Sequence, residues 1–204
     1  MSRNIKIFTG PNNYQLENVY IEEENEILIG VDSGCEELIK HQIIFDYAIG
    51  DFDSIHSEYL SLLKKYAKQI ISLPKMKDMT DLAFTLDYIY NNLTYDEVFV
   101  YGGIGGRIDH LLANLNLMKR FSLSFKDNHH HIYTLKKGRY AINNVHKYIS
   151  FFALEDVYEL TLRGFKYELD QYLLTTSDSI GVSNEGSGSL EFSKGRLLVV
   201  CSNE

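Results

Sequence analysis

Five short apolar runs separated by helical patterns constrain the first half of this chain more than any other feature of it. The runs are Ile5-Lys6-Ile7-Phe8, Ile27-Leu28-Ile29-Gly30-Val31, Tyr47-Ala48-Ile49, Gln69-Ile70-Ile71 and Glu97-Val98-Phe99-Val100-Tyr101. Continuous apolar runs of this length read as strands buried on both faces. Between them, Glu36–His41, Ser57–Lys68, Met79–Asn92 and Asp109–Arg120 read as helices. Strand-helix alternation predicts an α/β domain with a mostly parallel sheet. Ligands of such sheets gather beyond the carboxyl ends of the strands, so the residues just after each run are the first candidates for function. They are Thr9-Gly10, Asp32-Ser33-Gly34, Gly50-Asp51-Phe52-Asp53-Ser54 and the run from Gly102 to Arg107.

Beyond about Phe121 the period changes to two, in Tyr148–Phe152, Tyr158–Leu162, Ser189–Phe192 and Arg196–Cys201, with Gly, Asn and Asp turns between them. The expected organisation is an α/β domain over residues 1–125 and an all-β domain over residues 126–204. Lys126 to His131 reads as the connection. His129-His130-His131 could chelate a transition metal, but consecutive positions rarely converge on one ion, and a solvated linker is the simpler reading. Glu22-Glu23-Glu24-Asn25-Glu26 reads as a solvated acidic turn.

A formal net charge of −8 over 204 residues gives phosphate backbones and anionic membranes little to hold, so neither a nucleic-acid nor a membrane partner is expected. No apolar run approaches the roughly 18 residues needed to span a bilayer. Cys35 and Cys201 are far apart and suggest neither a disulfide framework nor a zinc site. Met1 to Phe8 runs straight into a strand without a secretory pattern, and a cytoplasmic location is expected.

Two acidic clusters follow strands. Asp51 and Asp53, separated by one residue, could converge on a cation, and magnesium suits a few carboxylates together with water and phosphate oxygens. Alternatively, both bond nearby backbone groups in a turn. In Lys77-Asp78-Met79-Thr80-Asp81, Asp78 could cap the helix that follows, with Asp81 near the positive end of its dipole. Both clusters fall at the same edge of one parallel sheet. Carboxylates about 4 Å apart repel by roughly 4 kcal/mol at an effective dielectric near 20, so crowding of this kind calls for a cation or a proton.

The run Gly102-Gly103-Ile104-Gly105-Gly106-Arg107-Ile108-Asp109-His110 leads from a strand into a helix. Its glycines let backbone amides approach an anion, the helix start adds favourable charge, and Arg107 offers a fork to phosphate oxygens. It matches neither a Walker A loop nor the regular dinucleotide fingerprint. A plain strand-to-helix connection with Asp109 as the cap is the alternative.

Taken in order, Asp32-Ser33-Gly34, Gly50 to Ser54, Lys77 to Asp81, Gly102 to His110 with Asn114, and Ser183-Asn184-Glu185 resemble the motifs of the thiamine pyrophosphokinase family. The resemblance spans nearly the whole chain. It implies an N-terminal α/β domain that binds ATP as co-substrate, a C-terminal β-sandwich, and a homodimer with thiamine pockets between subunits. It implies that Asp51, Asp53 and Asp81 serve magnesium (Mg2+) and the reaction centre, with Arg107 also catalytic. It places Asp32, Gly34, Asp78, Thr80, Gly103, Gly105, Gly106, Arg107, Asp109, His110 and Asn114 around the nucleotide. Ser183, Asn184 and Glu185 would help form the thiamine pocket; by themselves they are a polar turn. Some relatives are expected to stack a Trp on thiamine. This chain has none, and Tyr172 or Phe192 are the substitutes on offer.

The implied reaction moves a diphosphate from ATP to the thiamine hydroxyl, releasing AMP, with Asp81 or Asp53 accepting the hydroxyl proton. Two other readings compete. Asp51 could be the nucleophile of an aspartyl-phosphate phosphatase, or the site could bind nucleotide or thiamine as a sensor without reacting.

Overall fold

The fold is that of a computed structural model, which describes residues 3–76 and 78–203. Lys77, which opens the second acidic cluster, lies outside the described residues. The chain divides into two compact units, Met1–Asn128 and His129–Glu204.

In the first unit the strands are β1 (Ile5–Thr9), β2 (Ile27–Val31), β3 (Phe45–Gly50), β4 (Ala67–Ser72), β5 (Val98–Tyr101) and β6 (Ser124–Lys126). They are ordered β4-β3-β2-β1-β5-β6, and every pair is parallel. The helices are α1 (Leu16–Val19), α2 (Gly34–Lys40), α3 (Ser57–Leu60), α4 (Leu63–Tyr66), α5 (Asp81–Asn92) and α6 (Ile108–Leu117). Every residue of the central strands β1 and β2 is buried, as continuous apolar runs require, while the edge strand β4 has no buried residue. Phe8, Leu28, Leu38 and Phe45 lie in one core cluster under α2, with the Tyr101 ring stacked on Phe8 at 4.9 Å.

Three expectations for this unit are corrected. The helix expected over Ser57–Lys68 is two single turns, α3 and α4, because Ala67 already pairs with Phe45 in the β3–β4 ladder. The helix expected from Met79 begins at Asp81. Thr80, not Asp78, caps it, its hydroxyl accepting the Ala83 amide at 3.2 Å. The acidic turn is not simply solvated: Glu23 and Glu26 lie 3.1 and 2.7 Å from the ammonium of Lys6, which is 1% exposed in the middle of β1 and also donates to Ile21 O. A buried ammonium persists only when its protons find partners, and here they draw the 21–26 segment onto the sheet.

The second unit contains β7 (His130–Ile142), β8 (Tyr148–Arg163), β9 (Leu169–Leu174) and β10 (Gly188–Ser202). They form an antiparallel ladder ordered β7-β10-β8-β9. The expected strands Tyr148–Phe152 and Tyr158–Leu162 are parts of one strand, as are Ser189–Phe192 and Arg196–Cys201. The four strands thus form one hydrogen-bonded ladder whose long strands are interrupted by bulges. In β10 the residues of the core cluster are even before the bulge (Leu190, Phe192) and odd after it (Leu197, Val199, Cys201), with Leu198 buried on the other face. In β8 they pass from odd (Ile149, Phe151, Val157) to even (Leu160, Leu162) across Glu159, whose φ is 58°. Between Phe192 and Arg196 β10 advances four residues against two of β7, and at each irregularity the alternation resets, so both halves of each strand contribute to one core. Phe192 belongs to that core and is 5% exposed, which removes it as a ring for stacking within this unit. His130 and His131 are strand residues paired with Ser202 and Cys201 rather than a solvated linker, and the His131 ring lies 4.8 Å from that of Tyr133.

Candidate active site

The acidic side of the site grows from the ends of β2 and β3. Asp32 follows β2 with a φ of 46°, and its Oδ1 accepts the Phe52 amide at 3.1 Å. Gly50 ends β3 so close to this carboxylate that a Cβ there would fall 2.0 Å from Asp32 Oδ1. Asp51 follows, its Oδ1 accepting the Asp53 amide at 3.2 Å, so the turn-forming reading of this motif is realised in part. Asp81 opens α5. These four carboxylates share the wall of a cleft of about 520 Å³, a size typical of small-molecule sites. Burial, then the negative charges of Asp81 and Asp51, raise the Asp32 carboxyl to about 7, with the Phe52 amide opposing them.

The other side is the glycine-rich loop. Gly105, Gly106, Arg107, His110 and Asn114 line the cleft. Gly103, Gly105 and Gly106 all have φ between 63° and 80°, values that admit side chains poorly. Asn114, 7% exposed, donates to Gly103 O at 2.8 Å and so ties α6 to the loop's base. Arg107 is largely exposed, and its guanidinium engages Asp109 through Nε at 3.1 Å and Nη2 at 2.6 Å. The hydrogen bonds and charge of each hold the Asp109 carboxyl below its usual range and Arg107 above its own. Asp109 does not cap α6, as its alternative reading required. Arg107 holds the N-cap position without a side-chain cap bond, and Asp109 lies in the first turn.

Thr80 and Asp81 line the cleft, whereas Gly34, Asp78, Gly103 and Asp109 are not among the described residues of its wall. Gly34 has a packing reason for its identity, since a Cβ there would meet Phe8 O at 2.0 Å. Pro11 and Leu82 also line the cleft without having been singled out, and Ser33 and Ser54, read among the strand-end candidates, line it too. For Pro11 the signal that could have found it is the preceding strand-end glycine.

In the second unit, Ser183 (φ 57°) donates its amide to Ser150 Oγ at 3.0 Å. Asn184, 1% exposed, accepts the amides of Tyr167 and Glu185 at 2.8 and 3.0 Å and donates to Tyr167 O at 2.7 Å. Glu185 pairs with Lys166 at 2.6 Å. The Asn184 side chain thus organises this turn, and Ser183 and Glu185 are its exposed or half-exposed flanks.

Among the described residues, no three His, Cys, Asp or Glu side chains are gathered closely enough to enclose a metal by themselves. The donor chemistry of the cleft nevertheless fits magnesium, which takes one or two carboxylates and completes its shell with water and phosphate oxygens. The Asp32 carboxyl is pushed up by burial first and then by the charges of Asp81 and Asp51, a crowding of carboxylates that a cation would relieve.

Residues 20–133 match the model of the thiamin pyrophosphokinase catalytic domain, and residues 129–197 that of the thiamin pyrophosphokinase vitamin B1 binding domain. The chain is 34% identical over 206 aligned residues to the thiamine pyrophosphokinase of Bacillus subtilis, covering 96% of each. The crystal structure of thiamine pyrophosphokinase from Bacillus subtilis superposes with a TM-score of 0.86 at 33% identity, covering 98% of this chain and 99% of that one. A thiamin pyrophosphokinase family protein from Enterococcus faecalis superposes at 0.84 with 26% identity over the whole of both chains. The chain belongs to the thiamine pyrophosphokinase family.

Proposed function

We propose that this cleft carries out the family's reaction, transfer of the terminal diphosphate of ATP to the hydroxyethyl group of thiamine, giving thiamine diphosphate and AMP. The observation that carries this reading is the meeting of Asp32, Asp51, Asp53 and Asp81 with Gly105, Gly106 and Arg107 along one cleft. A bond forms between the thiamine hydroxyl oxygen and the β-phosphorus, and the bond from that phosphorus to the α–β bridging oxygen breaks. The hydroxyl proton passes to Asp81 or Asp53. Little covalent work falls to the protein, so orientation and charge neutralisation dominate. The amides of Gly105 and Gly106 and the Arg107 fork hold the phosphates, with Thr80, His110 and Asn114 beside them. Gly34, Asp78, Gly103 and Asp109 belong to the nucleotide side of the same reading. Asp51, Asp53 and Asp81 would hold magnesium, which when bound neutralises phosphate charge.

Thiamine is met by the segment Ser183-Asn184-Glu185, in a homodimer with the pocket at the subunit interface. Ile180 and Val182, beside this segment, are 53% and 41% exposed, which supports cover by another chain. A sandwich-like closure of the second unit is supported by the single core shared by both halves of its long strands. A cytoplasmic location is the compartment we propose; among the described residues no helix is long and apolar enough to cross a membrane. None of the relatives above supports the phosphatase or sensor readings. Purified protein incubated with ATP, magnesium and thiamine, its products separated by mass, is expected to give AMP and thiamine diphosphate in equal amounts. Orthophosphate release, or AMP independent of thiamine, would overturn the proposal.

A further inference from the structure

Two carboxylates on the segment after β2 fasten the acidic loop, one at each end. Asp32 takes the Phe52 amide at 3.1 Å. Glu36, on α2, takes the His56 amide at 2.7 Å and the His56 ring Nδ1 at 2.8 Å. Between these fastenings Ile55, 8% exposed, sits in the core cluster with Cys35 and Leu38. Asp53 itself is exposed and Asp51 half-buried, its Oδ1 accepting the Asp53 amide at 3.2 Å.

Glu36 is 3% exposed, an expensive place for an acid unless its lone pairs are filled. Burial pushes its carboxyl up; the His56 amide and ring, with Lys40 at 3.7 Å, outweigh that and leave it below the ordinary range. An apolar side chain could fill such a position on α2 without the desolvation cost. What the acid adds is direction. It fixes where the chain leaves the acidic loop, and the His56 ring, largely exposed, adds a second bond to the same oxygen.

We infer that Glu36 is a positioning residue which, through His56, holds Asp51 and Asp53 in readiness for a divalent cation. The inference rests on the proposed metal role of those two aspartates and deepens it. Partners behind metal-holding groups are commonly worth about 10–100-fold in metal affinity. Neither Glu36 nor His56 touches the reacting atoms, so their loss acts on the cation before it acts on chemistry.

The test is Mn2+ binding to the substrate-free full chain, followed by electron paramagnetic resonance of the free ion, with the melting temperature of the metal-free protein measured alongside. Glu36→Ala is expected to weaken Mn2+ by about tenfold. His56→Pro should do the same: the His56 φ of −64° already suits proline, so the change removes the amide and ring bonds with little strain. Its melting temperature should fall, because Glu36 is left buried with Lys40 at 3.7 Å, while the protein stays folded at the temperature of the binding measurement. Asp51→Asn, the control for the site itself, should abolish binding. Unchanged Mn2+ affinity in both variants while Asp51→Asn loses it would overturn the role of Glu36 and leave the site standing. Binding that survives Asp51→Asn would overturn the site. Losses of Mn2+ that appear only at temperatures where the variants begin to unfold would also reject positioning. Should Glu36→Ala fail to fold, His56→Pro alone decides by the same outcomes.

Discussion

Arg107 grips Asp109 two residues along its own chain, with Nε at 3.1 Å and Nη2 at 2.6 Å from the two carboxylate oxygens. Both side chains are mostly exposed, at 73% and 64%, so water competes for the pair and it adds little to the fold. Its effect is on the fork, which Asp109 holds extended beside the glycine-rich loop. Arg107→Ala is therefore expected to lower kcat by about a hundredfold or more, with the melting temperature unchanged. Arg107→Lys should recover only part of this, because a point charge cannot reproduce a planar fork. Steady-state rates and thermal melts on the same preparations check both statements.

Asp51→Asn and Asp81→Asn are each expected to abolish turnover while the protein keeps its fold. Asp51 is half-buried at a loop and Asp81 opens a helix already capped by Thr80, so neither holds an element together. Circular dichroism at parental amplitude alongside lost AMP formation is the expected pair of results. Near-normal rates in either variant would count against the assignment.

Asn114→Ala should act on stability first. Its Nδ2 is the donor to Gly103 O in a buried setting, and removing it strands that carbonyl. The expected loss is about 1–3 kcal/mol, read as a lower urea midpoint at constant slope. Activity should fall in parallel, because the loop loses its tie to α6.

Burial, and then the neighbouring His130, lower the pKa of His146. The folded protein therefore holds its proton less firmly than the unfolded chain does. Stability from this group is present above the unfolded pKa, near about 6.5, and is lost as pH falls through the folded value. Between about pH 7.5 and about pH 5 the parent should lose more melting temperature than His146→Asn. Equal losses would show that His146 does not contribute.

The central strands could be read from sequence because parallel strands buried on both faces leave continuous apolar runs. β6 could not: Ser124-Phe125-Lys126 has one apolar residue and owes its place to pairing with β5. β7 was hidden by Lys136-Lys137-Gly138-Arg139, all on exposed stretches of an otherwise ordinary strand. β8 and β10 were seen as fragments because a bulge resets the alternation that a period-two reading follows. At the site, the order of the acidic and glycine motifs was informative because each follows a strand, and strand ends are what a parallel sheet collects. Which residue caps α5, why Asn184 is asparagine and what Glu36 holds were not legible. Each depends on a side chain bonding a backbone group, and only the folded chain fixes that partner.

The irregularity between Phe192 and Arg196 acts like a spacer that keeps two gears in phase. Loss of one residue from Ser193-Lys194-Gly195 would turn Leu197, Val199 and Cys201 away from the core they share and bring Leu198 and Val200 to face it, exchanging the two faces of that half of the strand. Length at this point therefore matters more than composition, and an insertion of two residues should be borne better than a deletion of one.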